Sequence, residues 1–283
     1  MMEYIIIAIL QGLFEWLPIS SSGQVMIVSM NVFGLSAEQA FSLAIWLHLG
    51  TTFAVLIKFR KDFIKIIKAF IPNKFEVQNS DKNKRDWLII ATFGTAFTAL
   101  PLYFLFKVLL EGFLPLQGDI ITLIIAGLLI ATGIILLKVK KDFGNKNLEE
   151  ATEDEVYKDG FIAGLMQGIS ILPGISRSGI TTSTILLEDY EQDNALKINF
   201  LMSVPVAFAS IAVDALFGNG SIFGTLAPIT IVVATLVSFI VGYLSMELLI
   251  RIAQKVEFGY FCLIYGIIAF AVIIPFMLAS LGA

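Results

Sequence analysis

The chain has 283 residues, of which 57% are hydrophobic and only 15% are charged. A soluble domain carries roughly 25% charged residues, so this composition excludes a soluble globular protein. The absence of a basic helix argues against nucleic-acid binding, and the single cysteine, Cys262, excludes an internal disulfide.

Six apolar stretches reach about 20 residues, the length that crosses a bilayer as a helix. They comprise residues 39–58, 88–107, 119–138, 195–217, 225–250 and 258–280. Residues 59–70 follow the first stretch and are typical of an amphipathic helix on the inner membrane surface. Because no basic region precedes the first apolar run, we expect no cleaved signal peptide.

Two further apolar stretches are broken by proline, glycine and polar residues. Residues 4–33 contain Pro18 and a serine-rich turn, and residues 161–187 contain Pro173 followed by Ser-Arg-Ser. Backbone groups freed by such a break are costly if lipid surrounds them. Both stretches are therefore predicted to be re-entrant helical hairpins.

The positive charges are consistent with this topology. If the two hairpins do not cross, 17 of the 19 lysines and arginines fall on one side, and the exceptions are Lys107 and Arg177. Loops rich in Lys and Arg favour the cytoplasmic side. We therefore predict a multi-pass protein of the cell membrane with cytoplasmic basic loops and both termini outside.

An internal repeat organises the chain. The Gln-Gly pair at 11–12 and the Ser-x-Ser-Gly turn at 20–23 recur at 167–168 and 176–179. Three crossings separate the two copies, so the second half must insert upside down. The prediction is an all-α polytopic membrane protein, a single domain over 1–283. It has six transmembrane helices and two re-entrant hairpins, in an inverted repeat of residues 1–150 and 151–283. Chance similarity of two short loops is the alternative.

Arg177 is the only cation at membrane depth, where a charge is expensive unless it is paired or hydrated. Small hydroxylated residues surround it, namely Ser176, Ser178, Thr181 and Thr182. A guanidinium beside a helix N-terminus is suited to bind phosphate. The alternative is an arginine that only caps carbonyl groups in a helix break.

Glu15 lies in the other broken segment and needs a partner as a buried carboxylate. That partner is either Arg177 or a bound divalent cation, to which Gln11, one helical turn earlier, could add a carbonyl ligand. The alternative is an ion pair that only pins the two hairpins together.

Other polar residues allow two readings. Ser20, Ser21 and Ser22 are either site hydroxyls or backbone caps. His48, the only histidine, is either a general base or a hydrogen-bonded packing residue. Asp214 is expected to be solvated near the end of its crossing.

Two segments match a known family. The sequences QGLFEWLPISSSG (11–23) and PGISRSGIT (173–181) resemble the undecaprenyl-diphosphate phosphatase family of the bacitracin-resistance type. The length of this chain and its number of predicted crossings also agree with those of that family, so the resemblance covers essentially the whole chain. The resemblance implies removal of the terminal phosphate of a polyprenyl diphosphate at the outer face, which regenerates a lipid carrier for cell-envelope glycans. It also implies an inverted-repeat fold and a divalent cation, Mg²⁺ or Ca²⁺, and we add a homodimer as an expectation.

The motifs and the residue chemistry together define the candidate site. The catalytic candidates are Glu15, Arg177, Ser21, Ser176 and His48. The substrate-binding candidates are Gln11, Ser20, Ser22, Gln24, Ser178, Thr181 and Thr182. Glu15 is also the candidate metal ligand.

One departure from the residue pattern of that family leaves the identity of the general base open. Gln24 stands where well-known members of that family have His, and His48 stands where they commonly have Gln. A reciprocal exchange would preserve the chemistry of the site. The nucleophile, serine or water, also stays open.

A second function fits the architecture. Inverted repeats with broken helices are typical of secondary transporters, which suggests a polyprenyl-phosphate flippase without hydrolysis. The departure at Gln24 favours this alternative.

Overall fold

The computed structural model describes residues 1–71, 74–110, 117–138, 144–218, 221–253 and 258–281. All regular elements in these ranges are helices, apart from one isolated bridge between Lys146 and Tyr190. The helices are α1 (Met2–Phe14), α2 (Ser21–Asn31), α3 (Ala37–Lys58), α4 (Arg60–Ala69), α5 (Asn79–Leu110), α6 (Gln117–Lys138), α7 (Glu153–Ile169), α8 (Arg177–Leu187), α9 (Gln192–Phe217), α10 (Ile222–Thr225), α11 (Pro228–Ala253) and α12 (Phe258–Leu281). The predicted all-α fold is confirmed.

Five helices in the described ranges, α3, α5, α6, α9 and α11, are long and apolar enough to cross a membrane. The helices α1 and α12 are apolar over shorter lengths. Five of the six predicted crossings coincide within three residues with α3, α6, α9, α11 and α12. The sixth, predicted at 88–107, lies within α5, which begins earlier, at Asn79. The chain is a polytopic membrane protein, whereas the count of six crossings and the re-entrant hairpins stay predictions.

Each broken segment forms two helices around a short turn, α1 with α2 and α7 with α8. A serine caps the second helix of each pair. Ser20 Oγ accepts from the Gly23 N–H at 3.4 Å, and Ser176 Oγ accepts from the Gly179 N–H at 3.2 Å. These caps satisfy N–H groups that the first helical turn leaves unpaired.

The first helix of each predicted half packs against a helix of the other half, α1 on α11 and α7 on α5. The glycines of the repeated Gln-Gly pair permit this approach. A Cβ on Gly12 would lie 2.9 Å from the Gly242 nitrogen, and a Cβ on Gly168 would lie 2.6 Å from the Thr95 carbonyl oxygen. Two related halves that each pack their first helix against the other half would have this arrangement. The inverted repeat itself stays a prediction.

The predicted amphipathic segment forms α4, which ion pairs attach to the bundle. Asp62 Oδ1 on α4 lies 3.2 Å from Lys84 Nζ on α5 and 2.9 Å from Lys197 Nζ on α9. Lys84 Nζ also lies 2.7 Å from Glu149 Oε1 in the loop before α7. The position of α4 on the membrane surface stays a prediction.

The expectation that Asp214 is solvated is wrong. It is 2% exposed, and its Oδ2 accepts hydrogen bonds from Ser42 Oγ at 2.7 Å, Trp46 Nε1 at 3.0 Å and Ser221 Oγ at 2.9 Å. Three neutral donors therefore replace water around this carboxylate. They join α3, α9 and the segment before α10.

Candidate active site

A cavity of about 150 Å³ lies between the two broken segments and the helices α3, α5 and α9. The long helices contribute mostly apolar wall residues, among them Phe41, Ile45, Leu100, Tyr103 and Val206. Eight of the twelve predicted site residues line the same cavity: Glu15, Ser20, Ser21, Ser22, His48, Ser176, Arg177 and Ser178. The structure thus brings together residues from both broken segments and from α3.

The Glu15 carboxylate is the centre of the polar cluster and is almost fully buried. Its Oε1 accepts from Arg177 Nη2, so the predicted ion pair between the hairpins forms. Its Oε2 accepts from Gln11 Nε2 at 2.8 Å and from Ser21 Oγ at 2.7 Å, and lies 3.3 Å from His48 Nε2. Such dense pairing is what a buried carboxylate requires.

His48 reaches this carboxylate from α3. Its Nδ1 lies 2.6 Å from the Ala44 carbonyl oxygen. Since a carbonyl oxygen can only accept, Nδ1 carries a hydrogen, and Nε2 is left to face Glu15. The contact between Nε2 and the Glu15 carboxylate is attractive when a proton lies between them. The pair can therefore hold or pass on a proton.

The serines of the two turns have different partners. Ser21 donates to Glu15, whereas Ser20 and Ser176 act as the helix caps described above. Ser22 Oγ lies 3.4 Å from Ser20 Oγ, and Ser178 Oγ lies 3.3 Å from Ser176 Oγ. Ser21 is therefore the hydroxyl of this group that is placed against a proton acceptor.

Arg177 is the first residue of α8, so its guanidinium and the helix N-terminus share one end of the cavity. The dipole of a helix favours an anion at this end. Because Ser176 caps the Gly179 N–H, the N–H groups of Arg177 and Ser178 are the donors of the first turn that remain for an anion. The guanidinium fork matches phosphate oxygens. This end of the cavity can bind a phosphate group.

Four predicted site residues do not line the cavity: Gln11, Gln24, Thr181 and Thr182. Gln11 lies behind Glu15 as its hydrogen-bond partner, and Gln24 Nε2 donates to the Ile19 carbonyl oxygen at 3.3 Å. The Oγ1 atoms of Thr181 and Thr182 are buried without a hydrogen-bond partner among the described residues. Of the exchanged pair His48 and Gln24, it is the histidine that lines the cavity.

Known proteins that resemble this chain identify its family. A family model described as bacitracin resistance protein BacA matches residues 4–272. The chain belongs to the BacA family. The resemblance that the two motifs carried is thereby confirmed.

Curated relatives agree with the BacA assignment. The chain is 37% identical over 270 residues to the undecaprenyl-diphosphatase of Methanothrix thermoacetophila, and the match covers 95% of this chain and 96% of that protein. It is 34% identical to the proteins of the same name from Methanococcoides burtonii and Haloarcula marismortui. Those matches cover 94% and 93% of this chain, and 96% and 93% of the two relatives.

The oxygen donors of this BacA-family site fit a metal ion only if phosphate completes its ligands. In the described ranges, no three His, Cys, Asp or Glu side chains form a group that could hold a metal ion. Of the described residues that line the cavity, Glu15 alone is a carboxylate, and Gln11 Oε1 behind it is buried without a partner. Mg²⁺ often takes one or two carboxylates and completes its shell with water and phosphate. These donors therefore suit a Mg²⁺ or Ca²⁺ bound together with phosphate.

Sequence reasoning missed one wall of the BacA-family site, which α5 and α7 provide. Thr95 and Gln167 line the cavity, and Gln167 Nε2 donates to Thr95 Oγ1 at 3.1 Å. The repeat contained a signal, because Gln167 stands where Gln11 stands in the first half. Thr95 belongs to no motif, so only the packing of α5 on α7 reveals it.

Proposed function

We propose that this protein hydrolyses the terminal phosphate of undecaprenyl diphosphate, or of another polyprenyl diphosphate, to the lipid monophosphate and inorganic phosphate. This reaction recycles a lipid carrier for cell-envelope glycan synthesis. The observation that carries the proposal is the meeting of Arg177 and Glu15 in one cavity, with Ser21 and His48 on the same carboxylate. The relatives named undecaprenyl-diphosphatase, at 34–37% identity, support it.

The two kinds of cavity wall suit the two parts of such a lipid. Arg177 and the N–H groups at the start of α8 bind the charged head group, and the apolar side chains of α3, α5 and α9 contact the prenyl chain. As charge shifts towards the leaving oxygen, the guanidinium stabilises it. Most of the catalysis of phosphoryl transfer is of this electrostatic kind.

Ser21 is the proposed nucleophile. Its Oγ attacks the terminal phosphorus and passes its proton to Glu15 Oε2, 2.7 Å away. The bond from that phosphorus to the bridging oxygen breaks, and the lipid monophosphate leaves with the bridging oxygen. Water then attacks the phosphoserine, and His48 accepts a proton from this water. The bond from Ser21 Oγ to phosphorus breaks, Ser21 Oγ takes back the proton held by Glu15, and inorganic phosphate is released. A water molecule attacking in place of Ser21 would give the same products in one step.

Glu15, and Gln11 through its free Oε1, would hold a Mg²⁺ or Ca²⁺ ion. Such an ion, when bound, neutralises charge on the phosphates. A chelator is therefore expected to lower turnover.

The basic loops support an orientation with both termini outside. In that orientation, α3 and α9 line the cavity with their outer halves, through residues 41–48 and 206–213, so the cavity receives the lipid from the outer leaflet. A homodimer is part of the proposal, and the mass of the detergent-solubilised protein tests it.

The alternative is a flippase for polyprenyl phosphate that does not hydrolyse its substrate. The packing of each first helix against the other half of the chain favours it, because related halves are common in transporters. Proteoliposomes separate the two functions. Movement of polyprenyl monophosphate across the bilayer without phosphate release would support transport.

The test is phosphate release from a polyprenyl diphosphate by the purified protein, with and without chelator. We expect release by the wild type and its loss in Arg177→Ala. Ser210→Ala is the matched control, because Ser210 lines the same cavity but donates to the Ala207 carbonyl oxygen of its own helix. Wild-type turnover in Arg177→Ala would refute the proposed site.

A further inference from the structure

The cavity has a second polar wall that the proposed mechanism does not use. Five polar residues from α5, the end of α7 and α9 form it: Thr92, Thr95, Gln167, Ser170 and Ser210. The four hydroxyl groups each donate to a backbone carbonyl oxygen, those of Leu88, Ala91, Gln167 and Ala207. Their hydrogens are therefore engaged, and only the amide of Gln167 has donor capacity left.

Gln167 is 1% exposed, and only some of the hydrogen-bonding groups of its side chain have partners. One N–H of its Nε2 donates to Thr95 Oγ1 at 3.1 Å, and its Oε1 has no hydrogen-bond partner among the described residues. An amide has two N–H hydrogens and a carbonyl acceptor. Gln167 therefore lines the cavity with one N–H and one carbonyl oxygen that have no partner among the described residues.

The two halves of the chain give the same amide different partners. Gln11 donates to the Glu15 carboxylate, whereas Gln167, at the matching position of the repeat, donates to the Thr95 hydroxyl. A carboxylate repels an anion unless a cation such as Arg177 compensates it. Thr95 carries no charge, so a phosphate group can approach Gln167 without this repulsion.

A phosphate group that carries one proton matches both free positions of the amide. Its ionised oxygen accepts from the N–H, and its O–H donates to Oε1. Phosphate monoesters lose their second proton at a pKa of about 6, so this form is present near neutral pH. The lipid monophosphate and inorganic phosphate both offer this chemistry.

We propose that Gln167, held in place by Thr95, is a second phosphate-binding residue of the cavity, which takes one phosphate group while Arg177 takes the other. The identity of its ligand rests on the proposed function, since a diphosphate brings two phosphate groups into one cavity. Gln167 thereby favours a lipid diphosphate over a monophosphate.

The experiment measures binding without turnover. Inorganic phosphate and a short-chain prenyl monophosphate are titrated separately into the detergent-solubilised full chain, and the rise in unfolding temperature gives each Kd. We expect Gln167→Leu to raise the Kd of one of these ligands about tenfold or more. Weaker binding of inorganic phosphate assigns the terminal phosphate to Gln167. Weaker binding of the lipid monophosphate assigns the lipid-side phosphate, which within the diphosphate carries no proton and can only accept from the Gln167 N–H.

Two further variants complete the test. Ser210→Ala, on the same wall, is expected to leave both Kd values unchanged. Thr95→Val keeps Gln167 but removes its partner, and a smaller rise in the same Kd is expected even if Gln167→Leu does not fold. The proposal would be overturned if Gln167→Leu bound both ligands with wild-type Kd values. If only Thr95→Val folds, the same result in that variant would overturn it. Failure of the wild type to release phosphate would refute the proposed function instead, and would leave these binding results valid.

Discussion

The backbone N–H of Gly174 donates to Ser20 Oγ at 2.9 Å, so the turn of one broken segment is hydrogen-bonded to the turn of the other. The two turns also meet backbone to backbone, since a Cβ on Gly23 would lie 2.9 Å from the Gly174 nitrogen. This contact joins segments that are more than 150 residues apart in sequence. It is what allows Glu15 and Arg177 to meet in one cavity.

Gly174→Ala is expected to destabilise the protein. The φ of Gly174 is +109°, where a side chain is strained, and a Cβ there would lie 2.7 Å from the Ile125 carbonyl oxygen. Strain of this kind costs about 1–3 kcal/mol. Thermal unfolding in detergent measures the effect. Gly224→Ala, whose Cβ would have no atom within 4 Å, is the control. Equal unfolding temperatures for both variants would contradict the prediction.

Ser21→Ala is expected to lower the rate of catalysis, whereas Ser176→Ala is expected mainly to lower stability. Loss of the Ser21 hydroxyl removes the proposed nucleophile, so kcat should fall about 10³-fold or more while KM changes little. Loss of the Ser176 hydroxyl removes a helix cap, which costs about 1 kcal/mol of stability, and more turnover should remain. Steady-state kinetics and unfolding temperatures separate the two effects. A fall in kcat of less than tenfold for Ser21→Ala would assign the attack to water.

His48→Gln is expected to lower kcat by roughly 10²–10⁴-fold, the usual contribution of a general base. Glutamine can keep a hydrogen bond to the Ala44 carbonyl oxygen but cannot titrate. The pH–rate profile of the variant should therefore lose the limb that depends on the histidine, while its unfolding temperature stays close to that of the wild type. An unchanged profile would reduce His48 to a packing residue.

Glu188→Gln is expected to change how stability depends on pH. Both carboxylate oxygens of Glu188 are buried without a hydrogen-bond partner in the described structure. Burial, and then the nearby Asp159, raise the pKa of Glu188 from 4.5 to about 8, although Lys146 and Lys158 act in the opposite direction. The folded state thus holds a proton that the unfolded state releases, so the free energy of unfolding falls as pH rises from 4.5 to about 8.

The glutamine variant has no carboxyl group that titrates at this position, so its free energy of unfolding should not show this fall with pH. Its unfolding temperature should exceed that of the wild type at pH 8, and the difference should shrink towards zero as pH falls to 4.5. Unfolding curves at several pH values test this. A difference that is the same at every pH would show that Glu188 does not titrate in this range.

Features that depend on neighbours in sequence were predictable. Runs of apolar residues marked α3, α5, α6, α9, α11 and α12, because the hydrophobic effect requires an apolar helix wherever lipid surrounds the chain. Proline and serine marked the breaks before α2 and α8, because they end one helix and cap the next. The scarcity of charge at membrane depth singled out Arg177 and Glu15, since each such charge needs a partner.

Contacts between distant segments were not predictable in the same way. A serine in a turn can cap its own helix, but only the packing of the two broken segments hydrogen-bonded Ser20 to Gly174, and only the folded turn placed Ser21 on Glu15. Asp214 is buried because three donors from α3, α9 and the segment before α10 surround it.

The sequence by itself thus determined the helical membrane architecture, the family and the charged pair of the site. The tertiary structure alone decided which polar groups share the cavity. It placed His48 rather than Gln24 on the wall, and it added Gln167 with Thr95. The reason is physical: hydropathy and helix breaks are local properties of the chain, whereas a binding site forms where segments far apart in sequence pack against one another.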